Sequence, residues 1–146
     1  IALNLFSYLY ENDSSYSLTL IGRGTEFLDV PNGVIKKGYI DVSKMEFDYD
    51  FVLVTSRYDA FNLFAYECIC NGVFPLVNHN CGIAHDLDIP QNLLLSCDHS
   101  SLLNLVTSID SHICKAFFQE FELKKSNFSK TNMFKNISNV IDVKSS

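Results

Sequence analysis

Two carboxylates eight positions apart, Asp59 and Glu67, carry the clearest chemical signal in this chain. Asp59 stands in the polar turn S-R-Y-D that follows the apolar run Phe51, Val52, Leu53, Val54. Glu67 is the one charge within Leu63–Cys70, an otherwise apolar stretch. Burying a carboxylate without a partner costs several kcal/mol or forces it to take up a proton. Glu67 is therefore expected to be a buried charge kept for something that it binds. An ionised carboxylate only accepts hydrogen bonds, so two of them around a strand-to-helix turn suit a ligand rich in hydroxyl groups. Two plainer readings compete: Glu67 as a solvent-facing group at a helix edge, and Asp59 as a turn residue favoured by the helix dipole.

Between the two acids, the backbone N–H groups of Phe61, Asn62 and Leu63 are expected to open the helix. Unpaired donors at the positive end of a helix dipole are a natural seat for a diphosphate. Asn62 also suits an N-cap. His79, Cys81 and His85 have ligand-like spacing, but three residues with no fourth partner make a poor zinc site, and no metal is expected. His99 reads as the cap of a long helix rather than as a catalyst.

Positioning these groups requires strands and helices in alternation. Ile1 to Tyr10 has helical apolar spacing at Leu5, Phe6 and Leu9. Ser17 to Ile21 reads as a strand ending in Gly22-Arg23-Gly24, and Thr25 to Val30 as a short helix closed by Pro31-Asn32-Gly33. Val34 to Tyr39 and Phe51 to Thr55 are further strands. Phe61 to Asn71 is a helix stopped by Gly72. A fourth strand at Leu76 to Val77 opens at Pro75, which cannot donate to a ladder, and a fifth is Leu93 to Leu95. His99 to Phe118 reads as the longest helix. The tail from Ser126 is polar, with a last helix from Ser129 to Ile141. This alternation implies an α/β fold, a Rossmann-like parallel sheet with helices on both faces, over residues 1–125, with 126–146 as a polar tail or helix. Ligands of such sheets bind outside the carboxyl ends of the strands, where Gly22, Ser56 and Asn78 fall.

Composition narrows the partners. With 146 residues, 47% hydrophobic and 19% charged, the chain is long enough for one globular domain with a sizeable core. A net charge of −6 and only isolated pairs of lysines, Lys36-Lys37 and Lys124-Lys125, argue against a nucleic-acid backbone as partner. Five cysteines, two of them at Cys68-x-Cys70 where a helix would point them apart, suggest reduced thiols in a cytoplasmic protein. No apolar run approaches the length of a bilayer span, and no signal-peptide pattern opens the chain. A first residue Ile1 inside a helical pattern suggests a piece of a longer protein.

The stations L-T-L-I-G-R-G, V-I-K-K-G-Y-I, F-V-L-V-T-S, D-A-F-N-L-F-A-Y-E and C-N-G-V-F-P-L-V follow one another over residues 17 to 95. In order and spacing this resembles the C-terminal, donor-binding domain of retaining GT-B glycosyltransferases of the group 1, or family 4, type. The resemblance implies that Glu67 accepts hydrogen bonds from the ribose hydroxyls of a nucleotide sugar. It implies that Asp59 is the catalytic-site acid touching the transferred sugar, and that Phe61, Asn62 and Leu63 face the diphosphate. Gly22, Arg23 and Gly24 would let the chain approach the nucleotide, with Tyr39 and Ile40 near the base. Three departures stand out: Asp59 in place of the family's Glu, and Ala60 and Asn62 in place of two glycines. The Arg and Lys that hold the diphosphate, the first strand of the sheet and the acceptor-binding domain would all precede Ile1.

The resemblance further implies sugar transfer to a glycan or lipid-linked acceptor. No cofactor or metal is needed, and the whole protein would sit in the cytoplasm or peripherally at the inner face of a membrane. The alternative is a non-catalytic Rossmann-like domain that binds a nucleotide or a partner. A phosphoacceptor signalling domain would need an acidic pair after its first strand and a Lys near its last, and neither is visible.

Overall fold

A computed structural model describes residues 1–96 and 98–125. The chain is a mixed α/β protein that divides into two compact units, Ile1–Ile109 and a second beginning at Asp110. In the first, helix α1 (Ala2–Asn12) turns through Asp13, whose carboxylate accepts the Ser15 N–H at 2.9 Å, into β1 (Leu18–Ile21). Strand β2 (Val34–Gly38) pairs with β1 in parallel, with a register shift between Leu20 and Ile21. Strand β3 (Phe51–Val54) pairs in parallel with β4 (Phe74–Val77), joined by helix α2 (Leu63–Cys70). A short helix α3 (Gly82–Asp86), absent from the sequence reading, and helix α4 (His99–Ser108) complete the unit. Where one continuous sheet is expected, the described residues form two separate two-stranded sheets.

The core gathers on the β3–β4 side. Every residue of β4 is buried, as are Val52 and Val54 of β3 and Ala65, Cys68 and Ile69 of α2. Helix α1 buries Leu5, Phe6 and Leu9, one turn apart, and packs against α4 through its buried Leu102, Leu105 and Val106. Pro75 lies inside β4 rather than opening it, because the Phe74 N–H already donates to the Asp50 carbonyl at 3.0 Å. Alternation then turns the missing N–H of Pro75 away from β3, toward the edge where Leu95 donates to the Val77 carbonyl at 2.8 Å. Helix α2 ends as Gly72 suggests. The Val73 N–H donates to the Cys68 carbonyl and the Gly72 N–H to the Ile69 carbonyl, both at 3.0 Å, around Gly72 at φ +84. This is a Schellman closure.

Several expectations require correction. Residues 93–95 form no strand: Gln91–Leu93 is a 3₁₀ turn behind Pro90, and only the Leu95 bond to β4 remains of a fifth strand. The helix expected over 25–30 is a single 3₁₀ turn, Thr25–Phe27. The long helix from His99 to Phe118 is two helices, α4 and α5 (Ser111–Lys124). Asp110 causes the break: its carboxylate accepts the N–H groups of His112 and Ile113 at 2.9 and 2.8 Å, starting a new helix. The N-cap of α4 is Asp98, not His99. In α5, Glu120–Lys124 and Glu122–Lys125 form exposed ion pairs. The helix expected over 129–141 lies outside the described residues.

Candidate functional site

Helix α2 begins at Asn62, whose Oδ1 accepts the Ala65 N–H at 2.8 Å. Asn62 in turn donates from Nδ2 to the Asp59 carboxylate at 2.8 Å, and the Phe61 N–H donates to the other oxygen of Asp59 at 3.2 Å. The Asp59 carbonyl accepts the Gly82 N–H at 2.7 Å, and Asp59 and Cys81 form an isolated parallel bridge. A side chain at Gly82 would run into the Ala60 carbonyl, so the two loops approach as closely as they do only with glycine there. Asp59 is thus half-buried and held by three hydrogen bonds in the loop after β3. A carboxylate has about four acceptor positions, so two internal bonds leave room for a ligand hydroxyl.

The expected row of free N–H donors is partly occupied. Phe61 gives its N–H to the Asp59 carboxylate at 3.2 Å. Burial pushes the Cys81 thiol up; the Ile83 and Asn62 backbones oppose that rise, and the charge of Asp59 adds to it. The donor seat therefore shrinks from three N–H groups to those of Asn62 and Leu63. Cys81 is fully buried, whereas His79 and His85 are exposed, so the three do not gather at one place.

Glu67 is exposed, which corrects the expectation of a buried carboxylate. Helix α2 is apolar on most sides but buries only one, so Leu63 (68% exposed), Glu67 and Cys70 share its open face at helical spacing. Glu67 lies about one turn into α2, whereas Asp59 lies in the loop ahead of the Asn62 cap. The buried thiol beside it, Cys68, is pushed up to about 11, by burial first and by the charge of Glu67 second.

The second group of expected residues assembles at the ends of β1 and β2. The Gly22 N–H donates to the Gly38 carbonyl at 2.7 Å. Thr25 locks the pair: its hydroxyl donates to the Gly22 carbonyl at 2.9 Å and accepts the Gly38 N–H at 3.1 Å. Arg23 lies over the Tyr39 ring, 5.1 Å from its centre, and both side chains are exposed beside Gly24 and the half-buried Ile40. The structure thus makes two clusters of the expected residues: Gly22, Arg23, Gly24, Tyr39 and Ile40 in one, Asp59, Phe61, Asn62, Leu63 and Glu67 in the other.

Sequence reasoning passed over Asn78 as a positioning residue. Among the described residues it is the one buried polar side chain, donating to the Ser56 carbonyl and accepting the Asn80 N–H at 2.8 Å. It therefore ties the end of β4 to the loop that carries Asp59. An Asn directly after the apolar run F-P-L-V was the available signal. Among the described residues no group of His, Cys, Asp or Glu is placed to hold a metal ion, and no helix is long and apolar enough to cross a membrane. Comparison with models of known families, with curated proteins and with solved structures found no match to this chain.

Proposed function

We propose that this chain is the donor-binding domain of a retaining glycosyltransferase of the GT-B type, holding a nucleoside diphosphate sugar. The single observation that supports this best is the pairing on α2. A half-buried Asp59, bonded to the Asn62 cap, sits in the loop between a parallel strand and α2, and an exposed Glu67 stands about one turn into the helix. Glu67, exposed and with no side-chain partner among the described residues, is available to accept both ribose hydroxyls, and each charged hydrogen bond contributes about 1.5–3 kcal/mol. Asp59 would meet hydroxyls of the transferred sugar. Arg23 stacked on Tyr39 offers a cation and an aromatic face to the nucleotide. The acceptor would be a glycan or lipid-linked glycan bound by a further domain, which would bring the whole protein to a membrane surface peripherally. Transfer needs donor and acceptor aligned, so residues 1–146 by themselves are expected to show no turnover.

The test is Glu67→Gln, titrated with a panel of nucleoside diphosphates. Affinity should fall about 5- to 150-fold, corresponding to about 1–3 kcal/mol. Unchanged affinity in a folded variant would remove Glu67 from the site.

One observation favours a non-catalytic nucleotide- or partner-binding domain instead: both Asp59 oxygens already accept internal bonds, the work of a structural turn residue. With the acceptor domain present, Asp59→Ala separates the two readings. A loss of turnover exceeding the loss of nucleoside diphosphate binding supports catalysis. Equal losses support the binding domain.

A further inference from the structure

Two glycines follow an asparagine, in Asn32-Gly33 and Asn71-Gly72, and the fold treats the two pairs in opposite ways. An Asn-Gly pair is able to cyclise. The glycine amide nitrogen attacks the side-chain carbonyl carbon of the asparagine, a C–N bond forms, and the side-chain nitrogen leaves as ammonia with the glycine amide proton. Glycine suits this step because no Cβ crowds its nitrogen. Water then opens the cyclic imide. Opening at the side-chain carbonyl gives aspartate. Opening at the main-chain carbonyl gives isoaspartate, whose backbone runs through the former side chain and is longer by a methylene.

At Asn71 the reacting groups are occupied. Its side-chain amide donates to the Glu67 carbonyl at 2.8 Å, and the Gly72 N–H donates to the Ile69 carbonyl at 3.0 Å within the closure of α2. Attack would break both bonds and unwind the end of the helix. Asn32 carries no such restraint. It is exposed in the turn ahead of β2, and among the described residues neither its side chain nor the Gly33 N–H has a hydrogen-bond partner.

Gly33 nevertheless holds a fixed place. Its carbonyl accepts the Leu18 N–H at 3.0 Å, the first bond of the β1–β2 pair, and its φ is +81. A Cβ there would lie 2.5 Å from the Tyr10 ring and 3.2 Å from that of Phe6, so α1 blocks movement on that side.

We propose that Asn32 is a site of spontaneous deamidation, and that isoaspartate at this position releases the start of the β1–β2 pair. A methylene adds a bond of about 1.5 Å. Good N–H···O distances span only about 0.5 Å, so the Leu18–Gly33 bond does not survive the insertion. Strand β2 buries only Gly38, and little packing resists the change. The exposed pair therefore loosens as the molecule ages, while the buried β3–β4 pair keeps its ladder. This stands independently of the glycosyltransferase reading.

The test ages the unaltered chain in mildly alkaline buffer and follows both asparagines by mass spectrometry, each product being heavier by the difference between water and ammonia. Asn32 should convert about tenfold faster than Asn71 or more, because Asn71 reacts only through local opening. In urea the two rates should converge. Equal rates in the folded chain, or an Asn32 that converts only in urea, would overturn the proposal. Electron-transfer fragmentation separates isoaspartate from aspartate. In chains carrying isoaspartate, hydrogen exchange at Leu18 should quicken about tenfold or more, with Val52 unchanged. An aged Asn32→Gln chain, whose longer side chain cyclises far more slowly, should keep the exchange of fresh protein. A Leu18 amide unmoved by isoaspartate, or quickened equally in the aged Asn32→Gln chain, would overturn the proposal as well.

Discussion

The two strand pairs of this chain have the same topology and opposite surroundings. Strand β4 is buried along its whole length, whereas β2 buries only Gly38 and leaves Ile35, Lys36 and Lys37 exposed. Helices α2 and α3 flank β4 in sequence, and Leu95 closes its outer edge. On β2 the lysines discourage pairing with another chain, and Lys36 reaches back to the Glu26 and Leu28 carbonyls at 3.2 and 2.8 Å. The difference shows how one fold can set one half of the proposed site on a buried strand pair and the other half on an exposed one. Asp59 and Asn62 are anchored to the buried pair, while Arg23 and Tyr39 rest on the exposed one.

That contrast breaks most visibly in stability. Phe74→Ala, in a fully buried site packed edge-on against Phe51, should cost about 3–5 kcal/mol in denaturant unfolding. Ile35→Ala, the counterpart on β2, should stay within about 1 kcal/mol. Similar losses at the two positions would end the comparison. Gly82→Ala should cost about 3 kcal/mol, because its Cβ meets backbone rather than a movable side chain.

The buried pair also predicts a dependence on pH. Cys68 has its thiol raised from 9.0 to about 11 in the folded protein, so the folded state favours the neutral form. Its contribution is fully present below pH 9.0 and lost as pH rises from there through about 11. Urea midpoints should therefore fall over that window, and Cys68→Ala should flatten the fall; an equally steep fall in the variant would assign it to other groups. The smallest effect expected is at the cap of α2. Asn62→Ala should cost about 1 kcal/mol by removing the bond to the Ala65 N–H. Hydrogen exchange should quicken first at Ala65, with β2 amides unchanged.

What the sequence made legible follows the same division. Local chemistry is readable: Asn62 caps, Gly72 terminates, and the strands expected at 17–21, 34–39, 51–55 and 76–77 form at 18–21, 34–38, 51–54 and 74–77. Exposure is not. An eight-residue helix with apolar residues on nearly every side gives no sign of which face is covered, and Glu67 was placed inside for that reason. The break at Asp110 was hidden because Ile109 and Ile113 continue the apolar spacing of α4, and only the Asp side chain marks the new start. Whether two strand pairs join into one sheet is a matter of long-range pairing, which no local pattern in residues 18–77 encodes.

The central claim is that the two clusters serve one ligand, and a titration followed by amide shifts of the whole chain tests it most directly. Nucleoside diphosphate is expected to bind with a dissociation constant no tighter than about 1 mM, since ribose and backbone contacts act here without further charge neutralisation. Shifts should appear together, with one midpoint, at Gly22, Arg23, Gly24 and Tyr39 on the exposed pair and at Leu63 and Glu67 on α2, leaving the β4 amides unmoved. Shifts confined to one cluster, different midpoints for the two, or no response at about 10 mM ligand would contradict the account.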